Sequence, residues 1–191
     1  AYSSAVKLAG GKIAEYNLEE KNNWQPDLNA IEERIASARS EGGTVKLMFV
    51  NYPHMPTGQL PTTELFEKLI SFAKRNNILL IHDNPYSFIL NENPMSILSI
   101  EGAKDCVIEL NSLSKSHNMA GWRVGMLCGA KERIDEVIRF KSNMDSGMFL
   151  PLQLAAAKAL TLGKEWHDEV NAVYKRRREK EAFNSKFNSI G

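Results

Sequence analysis

Three short apolar runs, each closed by a polar turn-forming segment, constrain this chain more than any other feature. Residues 45–50 read VKLMFV, 78–81 ILLI and 106–110 CVIEL. Continuous apolar runs of this length suit strands covered on both faces, where no side meets water and no alternation is needed. Between the first two, Leu65, Phe66, Leu69, Ile70 and Ala73 recur at helical spacing, after a Thr62 or Thr63 cap and before Asn76 and Asn77. Pro26 and Asp27 open another helix, predicted over 28–39, and Gly42 and Gly43 end it. The alternating stretch 11–18 (GKIAEYNL) predicts a strand, and 124–128 a further one, followed by a helix over 131–141. The last third reads as helices over 150–162 and 164–187 with Gly163 as the break; Trp166, Val170, Val173, Tyr174, Phe183 and Phe187 form the second helix's apolar stripe. Buried strands alternating with amphipathic helices predict an α/β fold, a three-layer sandwich around a mostly parallel sheet.

Charge excludes some partners. Lys plus Arg number 24 and Asp plus Glu 23, so no global field draws the chain to nucleic acid or to an anionic membrane, and any anion site is local. The basic run 175–178 is followed by Glu179 and Glu181 and reads as a solvated helix face. No apolar stretch approaches the ~20 residues of a membrane-spanning helix. Cys106 and Cys128 lack metal-ligand spacing, and His82, His117 and His167 form neither a triad nor a metal set, so no metal site is expected. The cysteines read as reduced core residues and the compartment as cytoplasmic. A chain that opens on Ala1 and stops just after a long helix is expected to be part of a longer protein.

The polar segments that close the three runs carry the chemistry. In open α/β sheets ligands bind beyond the carboxyl ends of the strands, where all three segments fall. After the third run comes Ser112-Leu113-Ser114-Lys115, and eight residues beyond the lysine Arg123 precedes Val124-Gly125. This spacing places an amine and an anion clamp at one strand edge. After the second run comes Asp83-Asn84-Pro85-Tyr86, and after the first the proline-rich loop 51–58, NYPHMPTG.

Together these segments resemble the S-x-S-K-x-x-x-x-x-G-x-R-x-G, D-x-x-Y and N-x-P-x-N-P-T-G elements of class I/II aminotransferases. Those are fold-type-I enzymes of the aspartate aminotransferase superfamily, dependent on pyridoxal 5′-phosphate (PLP). The resemblance implies the large-domain fold of PLP-dependent transferases and a ping-pong transfer of an amino group between an amino acid and a 2-oxo acid. It implies that Lys115 forms the Schiff base with the cofactor and then moves the substrate proton, a double task that an amine can perform as nucleophile and as base. By the same resemblance Ser112 and Arg123 bind the cofactor phosphate with Ser114 as a helper, Asp83 pairs with the pyridine nitrogen, and Tyr86 donates to the cofactor O3′. The loop departs from the pattern at one position. Met55 stands where the family has an asparagine donating to O3′, and a thioether cannot donate, which leaves Tyr86 there unless His54 or a water substitutes.

The match covers the middle of a family member: 1–163 as a partial PLP-binding large domain and 164–191 as a long interdomain helix leading to a small domain. The family's ring-stacking aromatic would precede Ala1, so Tyr2 falls just past it, and the piece alone is expected to be inactive. Relatives are homodimers. Two other functions share these motifs, a carbon–sulfur β-lyase of the same fold and the aminotransferase-like domain of a transcriptional regulator. Trp122 and Trp166 read as packing residues.

Overall fold

The computed structural model describes residues 2–188, with side chains described as far as residue 181. The elements are α1 (Tyr2–Leu8), α2 (Leu28–Ser40), β1 (Leu47–Asn51), α3 (Thr63–Asn76), β2 (Leu79–Asp83), β3 (Val107–Ser112), α4 (Leu113–Ser116), β4 (Gly125–Gly129), α5 (Lys131–Met144), α6 (Leu150–Ala159) and α7 (Lys164–Asn188). They divide between two compact units, residues 1–83 with 97–109, and residues 84–96 with 110–191.

The first unit is built on β1 and β2, which run parallel with Leu47 opposite Leu79 and Asn51 opposite Asp83. The start of β3 lies on the other side of β2, where Leu80 N–H donates to the Cys106 carbonyl at 2.8 Å. Helix α3 connects β1 to β2 and packs on β2. Its Thr62 cap accepts from Leu65 N–H, and Asn77 ends it in the left-handed conformation (φ 54°), which asparagine tolerates better than most residues. Leu65, Phe66, Leu69, Ile70 and Ala73 are buried, as the apolar spacing predicts, and Phe72 is buried with them; each large side chain among them contributes about 2 kcal/mol by leaving water. Helix α2 opens on Asp27, whose carboxylate accepts from Asn29 and Ala30 N–H.

The predicted strand over 11–18 does not form. The segment is extended and mostly exposed, and its ladder is limited to a single antiparallel bridge between Leu18 and Pro26. Alternation prepares a segment for a sheet, but a strand also needs a neighbour for its N–H and C=O groups. Tyr16 holds the segment instead, donating its hydroxyl to the Phe49 carbonyl at 2.5 Å, and burial raises its phenol to about 12.

In the second unit Asn84 N–H donates to the Leu110 carbonyl at 2.8 Å, so the parallel register of β2 against β3 carries on past Asp83. Strand β4 pairs with the end of β3 in the opposite sense. Leu113 N–H donates to the Val124 carbonyl at 3.2 Å, while Gly125 lies against the carbonyl of Asn111. The strand order is therefore β1-β2-β3-β4, parallel except for β4, whose connection from α4 is too short for a parallel crossover. Leu113, Met119, Val124 and Ala156 form this unit's buried cluster, with Met126 and Ala159 packed against it. Lys175 to Arg178 are exposed, and no described helix is long and apolar enough to cross a membrane. Cys106 is buried and Cys128 half-buried. Phe183 and Phe187 lie outside the residues whose side chains are described.

Candidate active site

Within the second unit, four of the predicted site residues gather at the end of β3. Ser112 is the last residue of the strand and the cap of α4, its Oγ accepting from Ser114 N–H at 3.1 Å. Lys115 is the third residue of α4 and exposed, so its amine is open to a ligand while Leu113 and Ser116 on either side of it are buried. Arg123 is brought to the same strand end because its neighbour Val124 pairs with Leu113. It sits in the left-handed region (φ 55°), a conformation that costs a non-glycine residue about 1 kcal/mol and clusters at functional sites. Its Nη1 donates to the Ala120 carbonyl at 2.8 Å, which fixes the base of the guanidinium. Tyr86, half-buried, stands two residues past the Asn84–Leu110 bond.

Asp83 belongs to the first unit. It ends β2, and one of its carboxylate oxygens, Oδ2, accepts from the Tyr2 hydroxyl. Tyr2 in turn lies flat against Phe49 of β1, ring centroids 4.8 Å apart. Asn51 at the end of β1 holds the proline-rich loop in place. Its Nδ2 donates to the Asp83 carbonyl and its Oδ1 accepts from Met55 N–H, both at 2.8 Å. Met55 itself is 58% exposed. His54 is engaged inside the loop, Nδ1 lying 2.8 Å from the Thr57 hydroxyl, and burial lowers its pKa. His82 is fully buried between the Tyr52 carbonyl (Nε2, 2.9 Å) and the Glu109 carboxylate (Nδ1, 3.3 Å), a satisfied core histidine.

Spacing alone does not reveal three contacts: Tyr2 on Asp83, Trp166 on the Ser116 carbonyl at 3.0 Å, and the edge-to-face pair His117–His167 at 5.4 Å. For Tyr2 the only sequence signal was its nearness to the expected stacking aromatic. Trp166 and His167 lie about fifty residues from Ser116 and His117, and no motif links them. No group of three metal-ligating side chains occurs among the described residues.

The donor set suits PLP in each of its parts. An exposed amine could take the aldehyde carbon, hydroxyls and a guanidinium at a strand end could take a phosphate, and a carboxylate oriented by a tyrosine could face a pyridine nitrogen. An α/β sheet with these groups at its strand ends defines the fold-type-I PLP-dependent transferases. Solved structures agree: an aminotransferase from Staphylococcus aureus superposes with a TM-score of 0.85 at 34% identity, covering 97% of this chain and 48% of that one. The apo-BacF structure from Bacillus subtilis superposes at 0.84 and 37%, over 92% of this chain and 44% of that one. The chain belongs to the aminotransferase class I and II family, which it matches over residues 1–184. It is 43% identical over 180 residues to the LL-diaminopimelate aminotransferase of Halothermothrix orenii, covering 93% of this chain and 45% of that relative. The chain thus spans less than half the length of the curated relatives it matches.

Proposed function

We propose that this chain is the cofactor-anchoring part of a PLP-dependent aminotransferase that exchanges an amino group between an amino acid and a 2-oxo acid. The observation that carries the reading is the exposed Lys115 amine on a one-turn helix, directly after β3 and beside the capping Ser112. PLP, when bound, supplies an electron sink for negative charge developing at the substrate α-carbon. Lys115 Nζ would hold the cofactor between turnovers and, once freed, would carry the proton from that carbon to the cofactor C4′. Asp83 stabilises a proton on the pyridine nitrogen by charge pairing, and the Tyr2 hydroxyl on Oδ2 fixes the plane of that carboxylate. Tyr86 donates its hydroxyl to O3′. Ser112, Ser114 and the planar fork of Arg123 bind the phosphate, which a lysine at 123 could meet only as a point charge.

Residues 1–163 are the large-domain portion in this reading, and 164–191 the helix towards a small domain. The intact protein is a cytoplasmic homodimer. The aminotransferase names of the relatives support transamination over a β-lyase or a regulator. Because the Halothermothrix orenii relative is named for LL-diaminopimelate, that diamino acid is the first amino donor to test.

Borohydride reduction of the intact protein loaded with PLP, followed by peptide mass spectrometry, is expected to place the adduct on Lys115. Lys115→Ala should lose the adduct and at least about 10³-fold in amino transfer, since the residue supplies both the nucleophile and the proton carrier. An adduct on another lysine, or none, overturns the reading.

A further inference from the structure

The helix that carries Lys115 is too short to hold itself. One turn fixes several backbone dihedrals for very few hydrogen bonds, and its last carbonyls have no partner within the helix. At its front the Ser112 hydroxyl caps Ser114 N–H. At its back the Ser116 carbonyl accepts from the indole N–H of Trp166, on α7, at 3.0 Å. The Ser116 hydroxyl lies 2.8 Å from His117 Nδ1 and 3.4 Å from the Ser112 carbonyl. His117, 8% exposed, lies near the backbone of Ala159 in α6 and meets His167 of α7 edge-on.

The same face of α7 reaches the turn that carries Tyr86. His167 stacks on Phe88 with ring centroids 4.6 Å apart, and Asn171, one helical turn on, accepts from Leu90 N–H at 2.8 Å and donates to the Phe88 carbonyl at 2.9 Å. Helix α7 therefore braces two turns that meet nowhere in sequence.

Resting on the PLP reading above, we propose that Trp166 and His117 are positioning residues for Lys115: they fix the one-turn helix from α7 and α6 and so set where its amine stands. His117 makes the brace pH-dependent. In the neutral ring Nδ1 can accept from the Ser116 hydroxyl. Protonation turns Nδ1 into a donor and forces that hydroxyl to reorient. The groups that face His117 are the Ala159 carbonyl from α6, the Ser116 hydroxyl from its own turn and, from α7, the titratable His167. Burial and then the nearness of His167 lower the pKa of His117, with the Ala159 carbonyl opposing. A histidine lowered in the folded state contributes stability that is complete above its ordinary value of 6.5 and falls as pH drops from there towards the folded value.

The test is PLP release from the intact holoenzyme, followed by absorbance from pH 7.5 to about pH 5, alongside NMR titration of His117. Release by the wild type should speed up on acidification with the midpoint of His117, and His117→Gln should flatten that dependence. Trp166→Phe, which keeps a ring and removes the N–H, should speed release at pH 7.5 by roughly three- to tenfold, the range one neutral hydrogen bond commands. Unchanged release in Trp166→Phe with only a lower melting temperature would mean that the indole serves stability alone. A wild-type midpoint unrelated to His117 equally overturns the proposal, and needs no variant to fold. In either case a borohydride adduct on Lys115 leaves the PLP reading standing, whereas its absence from the wild type removes that reading first.

Discussion

Met55 occupies a position held from both sides. Its N–H is tied to Asn51, its side chain projects into solvent, and His54 next to it is committed to Thr57. The loop backbone is thus built as a donor loop would be, without the donor. If the O3′ phenolate of the cofactor proposed above sits there, residue 55 offers it no donor, and a proton on the neighbouring imine nitrogen is held more tightly. Met55→Asn should restore a donor on a loop already fixed by Asn51, stabilise the phenolate and loosen that proton. The pH midpoint of the visible absorbance band of the PLP-loaded protein is expected to fall by about one unit, as a hydrogen bond to a charged group is worth at least ~1.5 kcal/mol. A midpoint that stays or rises in a spectrophotometric titration would show that residue 55 does not face O3′.

Among the elements, β4 shows why a glycine follows Arg123 by two residues. A Cβ on Gly125 would stand 2.9 Å from the Asn111 carbonyl, a backbone atom that cannot step aside without displacing β3. Gly125→Ala should therefore cost about 1–3 kcal/mol and push β4 away from the strand end where Ser112 and Arg123 lie. Denaturant unfolding measures the loss, and a weaker PLP affinity with Lys115 still reactive would show that the clamp moved. An alanine variant as stable as the wild type would place the strands further apart than described. The legibility of the elements follows the same physics. α2 and α3 could be read to within a residue or two because caps and an apolar stripe are local signals, carried by Asp27, Thr62 and Leu65 to Ala73. The position of Lys115 just past β3 could be read because the apolar run of the strand is closed locally by a polar segment. The strand expected over 11–18 failed because pairing depends on a neighbour, and Trp166 and His117 stayed hidden because a brace across fifty residues leaves no spacing to detect.

For the molecule as a whole the informative surface is on the second unit, where α5 buries none of its fourteen residues. Ile138, Phe140 and Met144 on that helix are exposed, as are Phe149, Leu150 and Leu154 at and within α6, with Phe140 at 71% and Phe149 at 68%. Amphipathic helices do not keep such side chains in water at equilibrium, and apolar patches of this kind mark interfaces. A second copy of the protein is the occupant that fits the homodimer proposed above. Replacing Phe140 and Phe149 together by Asp would place two carboxylates in the centre of such an interface without touching a buried side chain of this unit. Sedimentation velocity of the intact protein at about 10 µM should then move from dimer to monomer, since interfaces of obligate dimers are more apolar than others and do not tolerate unpaired charge. A wild type that sediments as a monomer at that concentration, or a double variant that remains dimeric, would assign this face to some other part of the protein.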